Sequence, residues 1–437
     1  MTAASSAAAK SNRRGRVITF YSYKGGTGRS MALANVGWVL AANGKRVLMI
    51  DWDLEAPGLH RYVAPFLVDK ELTASDGLID FLAGYAAEAV TPLEAERARD
   101  DDWYEAHAAK ILDHAISVEW AFPDGGLLDL LPAGRQGPTY ATRVTSFNWQ
   151  NFYERLGGHG FIEAAKARMR EDYDFILVDS RTGVSDTAGI CTVQLPDVLV
   201  VCLTLNNQSI EGAAAVTRSV RGQRVDRGFD VFPVATRVEN SEKEKLAVRW
   251  KLAKDRFAES PAMGGGPEAR ERYWQDVAVP YMPYYAYEEL LAPFGNVRGD
   301  PPSINLLLCM ERLAQRISGV SAVTPPIAEE VRRQVLEHYR TGTGALSPAE
   351  LQRREVEASV RAEAARRAED AERRRREDAI IASTQAAVSE QYEGRVTAAE
   401  QARAAAVARG GTTRRFALAV AVVAALGIAG AGVWYLK

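Results

Sequence analysis

The residues best equipped for chemistry lie near the N-terminus, in the run Lys24-Gly25-Gly26-Thr27-Gly28-Arg29-Ser30. Glycines spaced this closely let a backbone fold tightly and bring its N–H groups up to an anion. A helix starting directly behind such a loop adds the positive end of its dipole, and phosphate is the anion this geometry suits. Ser30 supplies a hydroxyl where a GxxxxGK[ST] loop offers its Mg²⁺ ligand. Two residues depart from that pattern: Tyr23 stands in the place of the first glycine, and Arg29 in the place of the lysine that reaches the β- and γ-phosphates. Arginine keeps the charge but is longer, planar and forked, so the exchange bears on hydrolysis more than on binding.

Two carboxylate sites accompany the loop. RVLMIDWDLEAPGL carries Asp51 and Asp53 behind one apolar run, and YDFILVDSRTG carries Asp179 behind another. An aspartate closing such a run is placed to hold Mg²⁺ through water, and a second carboxylate nearby can orient an attacking water. Positioning them requires a strand before the loop and a helix after it. Arg16–Ser22 reads as that strand, and MALANVGWVLAANG as a helix closed by Gly44. Further strands are expected at Arg46–Asp51, Leu127–Leu131, Tyr173–Asp179, Val198–Leu205, Asp230–Thr236 and Ala278–Tyr284, alternating with amphipathic helices. That alternation predicts an α/β fold with a doubly wound, mostly parallel sheet, whose strand C-termini converge on one crevice.

KGGTGRS, Asp53 placed 24 residues after Arg29, and YDFILVDSRTG together resemble the ParA/MinD group of deviant Walker (SIMIBI) P-loop ATPases, over about residues 14 to 310. The resemblance implies ATP and Mg²⁺ as cofactors and an ATP-bound homodimer in which the signature lysine, here Lys24, reaches the partner's phosphates. It also implies that nucleotide contacts run through Lys24, Gly25, Gly26, Thr27, Gly28, Arg29, Ser30 and Met31. Asp53 would position the hydrolytic water, Ser30 and Asp179 would serve Mg²⁺, and Asp51 would support the magnesium shell. With its arginine loop, the chain looks closer to a bacterial subgroup found beside signalling or defence modules. Where the family turns after its strand-end aspartate, this chain has Ser180-Arg181-Thr182-Gly183. Arg181 is therefore expected either to act as an internal arginine finger or to form a plain salt bridge.

The rest of the chain sets the context. A formal net charge of -2 excludes a wholly basic nucleic-acid coat. Cys191, Cys202 and Cys309 lie in apolar stretches without metal-ligand spacing and read as buried thiols in a reducing compartment. The histidines His60, His107, His114, His159 and His338 show no metal-ligand pairing. Arg218, Arg221, Arg224 and Arg227 recur every three residues and would be the place for a nonspecific DNA contact, with Gly222 and Gly228 interrupting the helix. An insertion over about 84–126 is expected to form a helical cap or partner surface within a domain spanning 15–345. Residues 1–14 read as a disordered lead-in without a secretory signal.

Residues 346–410 are rich in Ala, Glu, Arg and Gln. From Ser347 to Arg409 there are twelve basic and twelve acidic residues, so neither charge sign dominates. A long solvated stalk is expected, as a single helix or a weak coiled coil. From Phe416 to Leu436 run 21 residues without a charge, after Arg414-Arg415 and before Lys437. That is the length of a transmembrane helix, and the arginine pair favours a tail anchor with its N-terminal side in the cytoplasm. The functional expectation is a membrane-anchored, slowly hydrolysing ATP switch that controls partner proteins. Its rivals are a nonhydrolysing ATP sensor or scaffold and a membrane-tethered DNA organiser.

Overall fold

The computed structural model describes residues 14–90, 103–183, 189–224, 229–239, 243–296 and 305–341, with scattered positions between 371 and 405. The chain divides into two units, Met1–Ala358 and Ser359–Lys437. In the first unit the strands are β1 (Arg16–Ser22), β2 (Arg46–Asp51), β3 (Ile116–Ser117), β4 (Leu127–Leu131), β5 (Phe175–Asp179), β6 (Val198–Leu203) and β7 (Asp230–Ala235). They form one sheet in the order β3-β4-β2-β5-β1-β6-β7. All neighbours run parallel except β3, which pairs antiparallel with β4 at one edge.

The central strands carry nearly unbroken apolar runs because both faces of the sheet are covered. Every residue of β5 and β6 is buried, as are Val17 to Ser22 of β1. Register then fixes the site. Asp51 at the end of β2 lies opposite Asp179 at the end of β5, and Phe20 of β1 lies opposite Asp179 on the other side. The two aspartates therefore stand side by side at the ends of β2 and β5, on one side of the strand that feeds the glycine loop.

Helix α1 (Arg29–Ala41) leaves that loop and packs against the sheet on one side and the helix Leu306–Ser318 on the other. It is buried nearly all round, so each of Leu33, Val36, Val39 and Leu40 contributes about 1.5–3 kcal/mol of burial. The Asn35 side-chain oxygen accepts the Ala292 N–H at 2.7 Å, tying the helix to the segment after residue 291. Trp38 holds its other end. Its ring centroid lies 4.9 Å from Phe122, 5.0 Å from Phe66, 5.2 Å from Phe294 and 5.3 Å from Trp120.

Several sequence expectations change here. Ala278–Tyr284 is not a strand: only one bridge forms, between Val238 and Pro280, and Pro283 opens a short helix to Glu288. The two prolines remove the N–H donors a ladder would need. The expected strands Tyr173–Asp179, Val198–Leu205 and Asp230–Thr236 are shorter, at Phe175–Asp179, Val198–Leu203 and Asp230–Ala235. Within the insertion, Trp103–Ala108 and Ala109–His114 are helical, and its last part packs onto the domain. It supplies β3 and sends Trp120 and Phe122 onto Trp38, while residues 91–102 lie outside the described residues.

In the second unit the scattered described positions are helical and exposed. The stalk as a continuous element and the 416–436 span lie outside the described residues, as do residues 1–13. Among the described residues no helix is long and apolar enough to cross a membrane.

The aromatic cluster makes a direct prediction. Trp38→Ala should cost about 3–5 kcal/mol of stability in chemical denaturation, the usual penalty for emptying a fully buried indole site. A loss below about 1 kcal/mol would mean that the insertion and α1 are not packed as described.

Candidate functional site: the glycine loop and its carboxylates

The loop begins where β1 ends, and the Ser22 hydroxyl donates to the Lys24 carbonyl at 2.9 Å. Gly26 and Gly28 take left-handed conformations at φ 70° and 83°, which a residue with a side chain rarely adopts. Gly28 is the N-cap of α1 and leaves the first N–H groups of the helix without a side-chain cap, open to an anion. Thr27 is buried, and its hydroxyl has no hydrogen-bond partner among the described residues. Met31 lies alongside, its terminal methyl 3.6 Å from where a Cβ on Gly28 would stand. Lys24 is half-buried and makes no ion pair among the described residues.

Tyr23 is accommodated from a distance. Its ring covers Gly212 on the helix Asn207–Gln223, where an added Cβ would stand 2.2 Å from the ring. No local signal in the sequence links these two positions.

Arg29 does not point along the loop. It turns under it, with Nε donating to Asp179 and one terminal nitrogen donating to Asp53 at 2.8 Å. The Arg29 side chain is 5% exposed, Asp179 2% and Asp53 14%. The other terminal nitrogen is buried without a partner among the described residues. Burial pulls the Arg29 pKa down, but Asp179 and Asp53 outweigh it and hold the guanidinium above its ordinary pKa. At Asp179 burial pushes the pKa up, while Arg29 and a hydrogen bond from the Ser30 hydroxyl pull it back.

Asp51 faces the backbone of its own loop. One carboxylate oxygen accepts the Asp53 N–H at 3.2 Å, and the other accepts the Gly58 and Leu59 N–H groups at 3.1 Å each. Burial and the neighbouring Asp179 push Asp51 up to about 8 against those donors. In this arrangement Asp51 fixes where Asp53 stands. Arg181 pairs with Glu55 at 2.6 Å on the same rim. Glu55 carried no signal in the sequence, nor did Arg237, which donates to the Gly26 carbonyl at 2.7 Å.

In the arginine series outside the loop, Arg218 is exposed, and Arg221 and Arg224 are engaged within the fold. The helix Asn207–Gln223 runs through Gly222 without a break. Arg221 donates to the Glu259 carbonyl, while Arg224 donates to the Pro196 carbonyl and lies over the Phe229 ring. Arg227 lies outside the described residues. No group of metal-ligating side chains occurs among the described residues. The cysteines are buried free thiols, with burial pushing Cys309 up to about 11 and Cys202 to about 12.

The residues fit a nucleotide polyphosphate and its Mg²⁺. An uncapped helix start, an orphaned Thr27 hydroxyl, an orphaned guanidinium nitrogen and a Ser30–Asp179 pair meet at one strand end. The CobQ/CobB/MinD/ParA nucleotide binding domain family matches residues 18–343. The chain belongs to this family. ATP and Mg²⁺ are accordingly the cofactors of this MinD/ParA-type site.

Among solved structures, MinD of Pyrococcus horikoshii complexed with Mg-ADP is similar at 17% identity. That match covers 68% of this chain and 96% of that one, with a TM-score of 0.41. A variant of Cyanothece McdA in complex with ATP is similar at 15%, covering 71% and 99% with a TM-score of 0.40. The pNOB8 ParA bound to nonspecific DNA is similar at 15%, covering 70% and 99% with a TM-score of 0.40. No curated protein matches the sequence.

Removing one member of a buried ion pair leaves the other uncompensated. Asp179→Ala should therefore cost the nucleotide-free protein about 3 kcal/mol in urea denaturation, and Asp53→Ala less because that carboxylate is partly wetted. Equal, small losses from both would show that Arg29 is not held between them.

Proposed function

We propose that this protein is a slow ATP-dependent switch of the MinD/ParA type that binds ATP with Mg²⁺, pairs with a second copy and signals its state to partner proteins at a membrane. The observation that carries this reading is the Arg29 fork on Asp53 and Asp179. While Arg29 neutralises Asp53, that carboxylate is unavailable to orient or deprotonate a water. A polyphosphate bound to the loop amides competes for the guanidinium, and Asp53 is freed when Arg29 turns towards it. When bound, Mg²⁺ would neutralise charge on the phosphate oxygens, with Ser30 and Asp179 as the side chains to hold it. Lys24, without an ion pair among the described residues, is available to reach a partner's phosphates. Arginine suits the nucleotide-free state better than lysine, since its planar fork spans two carboxylates while an ammonium is a point charge.

Phosphate release measured on the full-length chain should be slow but above background, and Asp53→Ala should abolish it while leaving ATP affinity within about threefold. Equal rates for the two proteins would sink the catalytic part. A second reading, a nonhydrolysing ATP sensor, is favoured by the same occupied Asp53. It would gain if the wild type bound ATP without turnover and Arg29→Lys released phosphate. A DNA organiser has less support, because two of the four arginines it would use, Arg221 and Arg224, donate to carbonyls within the fold.

Membrane attachment rests on the 21 uncharged residues 416–436 and their flanking Arg414-Arg415, with the nucleotide domain on the cytoplasmic face. The full-length chain should sediment with membranes and resist alkaline extraction, and deleting 416–437 should release it. Identical partitioning of both forms would remove this part of the proposal.

A further inference from the structure

We infer that Arg237 is a positioning residue of the phosphate loop: it holds the Gly26–Thr27 peptide in the orientation that presents the loop's donors to a polyphosphate. The inference rests on the nucleotide reading of the site. Arg237 lies just beyond β7, 211 positions from Gly26, yet its terminal nitrogen donates to the Gly26 carbonyl at 2.7 Å. The side chain lies along the loop, since a Cβ on Gly26 would stand 3.9 Å from its terminal nitrogen and one on Gly28 4.0 Å from its Cγ.

Two features hold Arg237 in that place. Its guanidinium carbon stands 4.5 Å from the centre of the Tyr281 ring, a cation–π arrangement that fixes the head group. Its backbone takes φ +52°, a left-handed conformation that side-chain-bearing residues avoid. Such a conformation persists where the surroundings over-determine it, and it clusters at ligand sites. Here the neighbouring backbone supplies that determination. The Thr236 N–H donates to the Leu203 carbonyl at 2.8 Å, Val238 to Val279 at 3.0 Å and Tyr281 to Val238 at 2.9 Å.

The consequence for the loop follows from peptide geometry. Every described peptide bond is trans, so a carbonyl and the next N–H point in opposite directions. With the Gly26 carbonyl held at Arg237, the Thr27 N–H is turned to the other side. Glycine on its own leaves that peptide free to rotate, and a charged donor on the carbonyl removes the freedom.

The experiment measures affinity of the full-length chain for a fluorescent ATP analogue with Mg²⁺ and for inorganic tripolyphosphate as competitor. Arg237→Ala should weaken both by about tenfold, the usual worth of one charge-assisted hydrogen bond, and Arg237→Lys should restore part of each. The ligand-free melting temperature should stay near that of the wild type. Should Arg237→Ala not fold, Tyr281→Ala, which removes only the ring beneath the guanidinium, should give a smaller loss of the same kind. Loss for ATP with tripolyphosphate unchanged would mean that Arg237 acts on the base, and it would overturn the inference. Wild-type affinity for both ligands in Arg237→Ala would overturn it as well. A wild-type chain that binds neither ligand would overturn the nucleotide reading itself, and the positioning role with it.

Discussion

Three carboxyl groups and one guanidinium share the crevice at the ends of β2 and β5, and much of the site's arrangement serves to make their burial tolerable. Taking an ion out of water costs several kcal/mol even after relaxation, so a buried charge endures only where partners surround it. Arg29 meets Asp179 and Asp53 with separate nitrogens, and Asp51 is compensated by three backbone amides. Each partner is delivered by a different element. The parallel register of β2 on β5 sets Asp51 beside Asp179, the loop after β2 brings Asp53 round, and α1 carries Arg29 beneath its own first turn.

The same group of side chains explains why the helix behind the loop must be rigid. Arg29 and Ser30 are its first residues, so their placement is only as good as the anchorage of α1. Asn35 fixes the middle through Ala292, and Trp38 fixes the far half within four other aromatic rings. The insertion, which looks in the sequence like an accessory, supplies two of those rings and an edge strand.

What could be read from the sequence follows from the range of the forces involved. β1, β2 and β4 stand at their expected boundaries because a strand buried on both faces must be mostly apolar, and such a run is visible in one dimension. The loop and the carboxylates at Asp51, Asp53 and Asp179 were legible because their spacing carries the chemistry. The direction of the Arg29 side chain was not. A sequence shows that a guanidinium replaces an ammonium, but not that the fork will satisfy two carboxylates, one at the end of β5 and one in the loop after β2. Gly212, Glu55 and Arg237 were invisible for a related reason, since each matters only through a contact brought together by the fold. β3 is too short to show a periodicity, and Pro280 and Pro283 break what composition alone presents as a strand.

The contact between Tyr23 and Gly212 implies a form of joint inheritance. An aromatic ring at the start of the loop and a side chain at position 212 cannot occupy the same space, so the freedom lost at one position must be granted at the other. In effect the glycine absent from the loop has moved to a helix far away in the chain. Among relatives, the two positions should then vary as a pair: lineages that return a glycine to position 23 are free to fill position 212, and those that keep the ring are not.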